Sequence, residues 1–212
     1  MATVEIDSYE LYHIGNKLNP AINFEKLREE LRANLETLGF TITKDETMNS
    51  VRSVPSEVIA IKKNVKLELN YAAQALNLMG TEPYEVTLLF EEVLTLLQKM
   101  EYEIDSLVIF FEVIASVILK SQDKPVEKIG ASIGLNPKLF ADNNVPIVNT
   151  IGLRIGGNKP SDKTFINLTV EPSPINPNLK TTVRVHYRAE KENIIKFHEK
   201  LSDNIKEIFK AL

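Results

Sequence analysis

The chain has 212 residues, 43% apolar and 25% charged, with formal net charge −4. This is enough to bury a sizeable core in one large domain or two small ones. It contains no cysteine, which excludes disulfides, thiol catalysis and thiolate metal sites. With only His13, His186 and His198 available, a histidine-rich zinc centre is not expected, and no cofactor motif is present.

From the N-terminus, Thr3 to Ile14 carries Val4, Ile6, Tyr9 and Tyr12 and reads as a strand. Its start places acid where a secretory signal needs a basic and then apolar run, so a cytoplasmic location is expected. Asn23 is an N-cap for a helix over 23–39, with Phe24, Leu27, Leu31, Leu35 and Leu38 on one stripe and Gly39 closing it. Phe40 to Thr43 is a short strand. Val51–Lys62 and Val65–Tyr71 form a hairpin turning at Lys63-Asn64, with Lys66, Glu68 and Asn70 opposite the apolar positions. Ala72 to Met79 fits either strand or helix.

Thr81-Glu-Pro83 opens a helix over 81–101, with a cap, a first-turn proline and a broad stripe from Val86 to Met100. Ile104 to Leu119 reads as a long central strand. Its apolar run, Leu107–Leu119, is broken by Glu112 and Ser116 and is too short to span a bilayer, so no membrane association is expected. Pro125 to Ile133 is a short helix and Leu135 to Pro146 a loop. Asn149 to Ile155, Lys163 to Glu171 and Thr181 to Arg188 are strands, with a turn at Gly156–Asp162, and Glu190 to Leu212 is an amphipathic closing helix.

The expected fold is therefore α+β: one domain over 1–212, a large and mostly antiparallel sheet with helices 23–39, 81–101 and 190–212 on one face. Residues 1–101 and 102–212 repeat one element order, which suggests a duplicated β-α-β-β-β-α unit. On element order alone this resembles the saddle folds of TATA-binding proteins and the helix-grip ligand-binding folds.

Arg184, His186 and Arg188 share a strand face because strand side chains alternate with a period of two, and Arg154 joins them if its strand lies in the same sheet. Arginine forks suit phosphate or carboxylate, and an imidazole adds a proton that titrates near neutrality. Such a face can equally be solvated, with its charges paired to Glu171 and its neighbours. Glu112, flanked by Phe110 and Ile114, is a candidate buried acid whose pKa desolvation would raise. His198 falls within the closing helix's apolar stripe and reads as a satisfied core or boundary residue.

Residues 151–212 hold 11 Lys+Arg against 7 Asp+Glu, net +4, whereas residues 1–150 hold 14 against 22, net −8. Gly156-Gly157-Asn-Lys159 is not a Walker loop: Asn158 intervenes and Pro160 follows. Asn167-Leu-Thr169 matches a glycosylation acceptor by chance.

The functional expectation is a non-catalytic ligand- or protein-binding module using the open sheet face, as a homodimer or with a protein partner or a small anionic ligand. The first alternative is an enzyme acting on a small anionic substrate through an Arg/His site. The second is nucleic-acid binding, which the acidic first half and the lack of aromatics interleaved with the arginines disfavour.

Overall fold

Local patterning builds nine strands, and their pairing joins them into one antiparallel sheet. The computed structural model describes residues 4–43, 56–121, 124–132, 152–159 and 161–211. In chain order these form β1 (Val4–Leu18), α1 (Phe24–Leu35), β2 (Thr41–Ile42), β3 (Ser56–Lys62), β4 (Val65–Asn70), β5 (Ala75–Gly80) and α2 (Pro83–Lys99). They continue with α3 (Ile104–Leu107), β6 (Val108–Ser121), α4 (Pro125–Ser132), β7 (Leu153–Gly157), β8 (Phe165–Pro172), β9 (Lys180–Ala189) and α5 (Lys191–Ala211).

The spatial order is β2-β3-β4-β5-β1-β6-β9-β8-β7. From the central β1–β6 pair outward, β1-β5-β4-β3 on one side mirrors β6-β9-β8-β7 on the other. The two halves thus share one connectivity; β2 and the single helical turn α3 have no described counterpart.

One sheet face is apolar and covered. Tyr12, Ile14, Leu67, Leu69, Leu76 and Leu78 from the first half, with Val113, Ala115, Val117, Leu168, Val170, Val183 and Val185 from the second, are all buried there. Leu27, Leu31 and Leu35 of α1, Phe90, Val93 and Leu97 of α2, Ile129 of α4, and Ile194, Leu201, Ile205 and Phe209 of α5 complete the same core. All the long helices therefore lie on one side.

Local chemistry sets the helix ends. Asn23 caps α1, its side chain accepting from the Lys26 amide at 3.0 Å. A short 3₁₀ turn follows α1 and ends at Gly39 in the left-handed region (φ 76°).

Some sequence expectations are corrected. The ambiguous stretch 72–79 is a turn followed by β5, because 75–80 finds partners on both β4 and β1. Tyr71 belongs to that turn. Ile104–Leu107 is a helical turn, so the central strand starts at Val108. Thr81 is not the cap of α2: Glu82 holds that position, without a side-chain bond. Gly156 and Gly157 extend β7, and the turn starts at Asn158. The expected strand segments at 51–55 and 149–151 and the expected loop at 135–146 lie outside the described residues.

Candidate functional site on the open sheet face

Side chains opposite the helices come from alternate positions of each strand, and the register places them in rows. One row crosses Gly15 of β1, Glu112 of β6, Arg188 of β9 and Phe165 of β8. The next crosses His13, Ile114, His186 and Asn167, and a third crosses Leu11, Ser116, Arg184, Thr169 and Arg154 of β7. Arg154, Arg184, His186, Arg188 and Glu112 therefore share one face. At one corner this face is closed over, with Ile118 and Thr182 4% and 1% exposed.

Glu112 is the hub. Its Oε2 accepts from His186 Nε2 at 2.9 Å and from Arg188 Nη2 at 3.3 Å. Burial alone would raise the Glu112 carboxyl, but the bonds and charges of His186 and Arg188 outweigh it and hold the pKa below its ordinary value. The two residues that lower it, His186 and Arg188, both come from the neighbouring strand β9.

Aromatic rings flank both partners of Glu112. The Arg188 guanidinium lies 3.9 Å from the centre of the Phe110 ring, and the Phe165 ring meets His186 edge-on at 5.1 Å. Arg188 Nη1 also donates to the Asp162 carbonyl at 3.3 Å.

Toward the other half, Gly15 leaves room for its neighbours to lean inward. A methyl group at Gly15 would meet Asn77 Oδ1, His13 Nε2 and Glu112 Cγ at 3.0, 3.1 and 3.2 Å. Burial lowers the His13 pKa, with Asn77 and the charges of Glu112 and Glu68 pulling the other way, so the ring is neutral near pH 7. Asn77 Nδ2 donates to Glu68 Oε1 at 3.1 Å, extending the polar belt to β4.

The remaining candidates lie at the periphery. Arg184 pairs with Glu171, and Arg154 Nε donates to Asn167 Oδ1 at 2.8 Å. Ser116 donates to Glu10 at 2.8 Å. His198 faces the helix side, where its Nδ1 shares a 2.8 Å hydrogen bond with the Tyr12 hydroxyl.

His13, Asn77 and Glu68 were not singled out by the sequence analysis. The alternation of β4 marks Glu68 as outward-facing, but nothing local brings it to Glu112. A second polar cluster was also missed: Glu57 receives Arg28 Nε and Nη2 at 2.9 and 3.1 Å and the Tyr71 hydroxyl at 2.9 Å, fastening α1 to β3 on the helix side. Among the described residues no group of three His, Asp or Glu side chains is placed to hold a metal ion. Nor is any described helix long and apolar enough to cross a membrane.

Comparison with protein-family models and with curated proteins yields no match to this chain.

Proposed function

We propose that the chain is a non-catalytic binding module that takes its ligand or partner on the open sheet face around Glu112, His186 and Arg188. The observation that supports this is the engagement of Glu112 by His186 and Arg188 at once. A carboxylate so held has its pKa moved away from neutrality, the wrong direction for a general acid or base. Around it, Thr169, Ser116 and the exposed Arg184 present donors and acceptors at strand spacing on a rigid support. Nucleic acid fits less well, since Arg184 and Arg188 already meet carboxylates.

Native mass spectrometry on gently purified protein tests the reading. A co-purifying mass should be retained by the parent and by Lys200→Gln on α5, and lost from the double variant Arg184→Gln with His186→Gln. Retention by the face variant while folded would remove the face as the site.

One observation favours a second reading, an enzyme acting on a small anionic substrate: imidazole, guanidinium and carboxylate converge on one face. There Glu112 would orient His186 as acid/base, and Arg184 with Arg188 would hold the anion. Turnover, not binding, separates the two, and a panel of phosphate monoesters and carboxylate esters assayed for hydrolysis reads it. Hydrolysis by the parent that is lost in His186→Gln supports the second reading, and no hydrolysis of either class by folded parent removes it.

A further inference from the structure

We propose that β7 accepts an extended segment of a partner protein as a tenth strand of the sheet, and that this segment alternates acidic with aliphatic side chains. The inference rests on the reading of the chain as a binding module and assigns the partner to the sheet's edge.

β7 ends the nine-stranded sheet and, among the described residues, pairs only with β8. Arg154, Ile155 and Gly156 at its centre are exposed. An edge strand presents a row of N–H and C=O groups ready to template another strand. Of the usual guards, proline and lysine are absent from Leu153–Gly157, and its one charged side chain, Arg154, is the group offered to the guest.

The two faces of this edge differ, and the difference specifies the guest. On the open face Arg154 stands in one row with Thr169 and Arg184. Arg154 engages a neutral amide, Asn167, through its Nε, and the Arg184 side chain is 53% exposed although it meets Glu171. On the helix face Ile155 and Ile166 are 48% and 37% exposed. Ile166 also lines the mouth of a groove of about 260 Å³ whose walls include Leu168, Phe197 and Ile208.

An added strand sends successive side chains to opposite faces, so one set meets the arginines and the other the isoleucine shelf. Carboxylates complement the first set and aliphatic groups the second. The net +4 of residues 151–212 favours the same acidic guest over long range. A second copy of β7 fits poorly, because it would bring two Arg154 side chains onto one face with no carboxylate from either strand between them.

The test uses the full chain and a fluorescein-labelled peptide of alternating glutamate and valine with glycine–serine ends, followed by anisotropy. The parent should bind it, and a peptide of the same composition with its acids blocked together should bind about tenfold more weakly. Backbone N-methylation along one edge of the alternating peptide should abolish binding, a control that leaves the protein untouched. Arg154→Gln with Arg184→Gln should weaken binding about tenfold, and hydrogen exchange should slow at amides of β7 when the peptide is saturating.

No binding by folded parent at millimolar peptide overturns the proposal, as does indifference to N-methylation. Protection elsewhere than β7 overturns the edge assignment while leaving the binding-module reading in place. A concentration-dependent dimer in sedimentation, with β7 amides protected without peptide, would give the edge to a second copy and also overturn it. Peptide capture at β7 by a protein whose open-face variant keeps its co-purifying mass would instead remove the open-face reading alone.

Discussion

At the scale of single residues, the open face is governed by who neutralises whom. Glu112 is 19% exposed in its side chain, Arg188 13% and His186 29%, so their mutual contacts are partly shielded from water. Removing the acid takes the shared carboxylate from both the Arg188 guanidinium and the His186 ring, and Glu112→Gln should cost about 1–3 kcal/mol near pH 7. Because the folded-state pKa of Glu112 is depressed, its contribution is present above its ordinary 4.5 and is lost as pH falls through the folded value. Urea unfolding of parent and variant across acid pH should therefore show their difference shrinking below about pH 4.5.

His13 and His198 lose stability in the same direction for a different reason, since burial disfavours their charged form. Burial lowers both from 6.5, so the unfolded chain takes up protons first and stability falls as pH drops below that value. A variant with both histidines changed to glutamine should show a flatter stability profile between about pH 5 and 7 by the same assay. At Gly15 the crowding is steric: an added methyl group meets side chains from β1, β5 and β6, and Gly15→Ala should cost about 1–3 kcal/mol in thermal or chemical unfolding.

At the scale of elements, the patterns visible in the chain are those whose cause is local. The α1 stripe, its Asn23 cap and its Gly39 stop are all decided within one or two turns, and all three are present. Asn23→Ala should lower stability by about 1 kcal/mol, read from the urea midpoint at unchanged slope. Strands with one buried face were equally legible, because Val65-Leu67-Leu69 and Val183-Val185 need only their own alternation. The stretch 72–79 was not legible: its identity as β5 depends on β4 and β1 arriving on either side. The start of β6 was misplaced for a similar reason, since apolar content does not distinguish a buried turn of helix from a strand.

At the scale of the whole molecule, the β1–β6 pairing joins the two halves into one sheet, running from Val4 opposite Ser121 to Leu18 opposite Val108. The core is continuous across that seam: Tyr12 of β1 meets His198 of α5, and Phe90 of α2 meets Phe111 of β6 edge-on at 5.9 Å. Neither half keeps its central strand paired on both edges without the other. The chain should unfold in urea as one cooperative unit, with circular dichroism and tyrosine fluorescence giving coincident transitions. Two separate transitions would show that the halves are independent domains.

Alternation and helical periodicity along the chain are enough for the α+β class, for the two faces of strands such as β4 and β9, and for the grouping of Arg184, His186 and Arg188. All of these follow from periodicity along one segment. What that grouping is worth depends on residues far away in the chain. Glu112 lies 74 residues from His186 and 76 from Arg188, and strand order alone brings them together. The same order sets Gly15 beside Glu112 and leaves β7 at the edge, because hydrogen-bond pairing between distant strands carries information that no local alternation encodes.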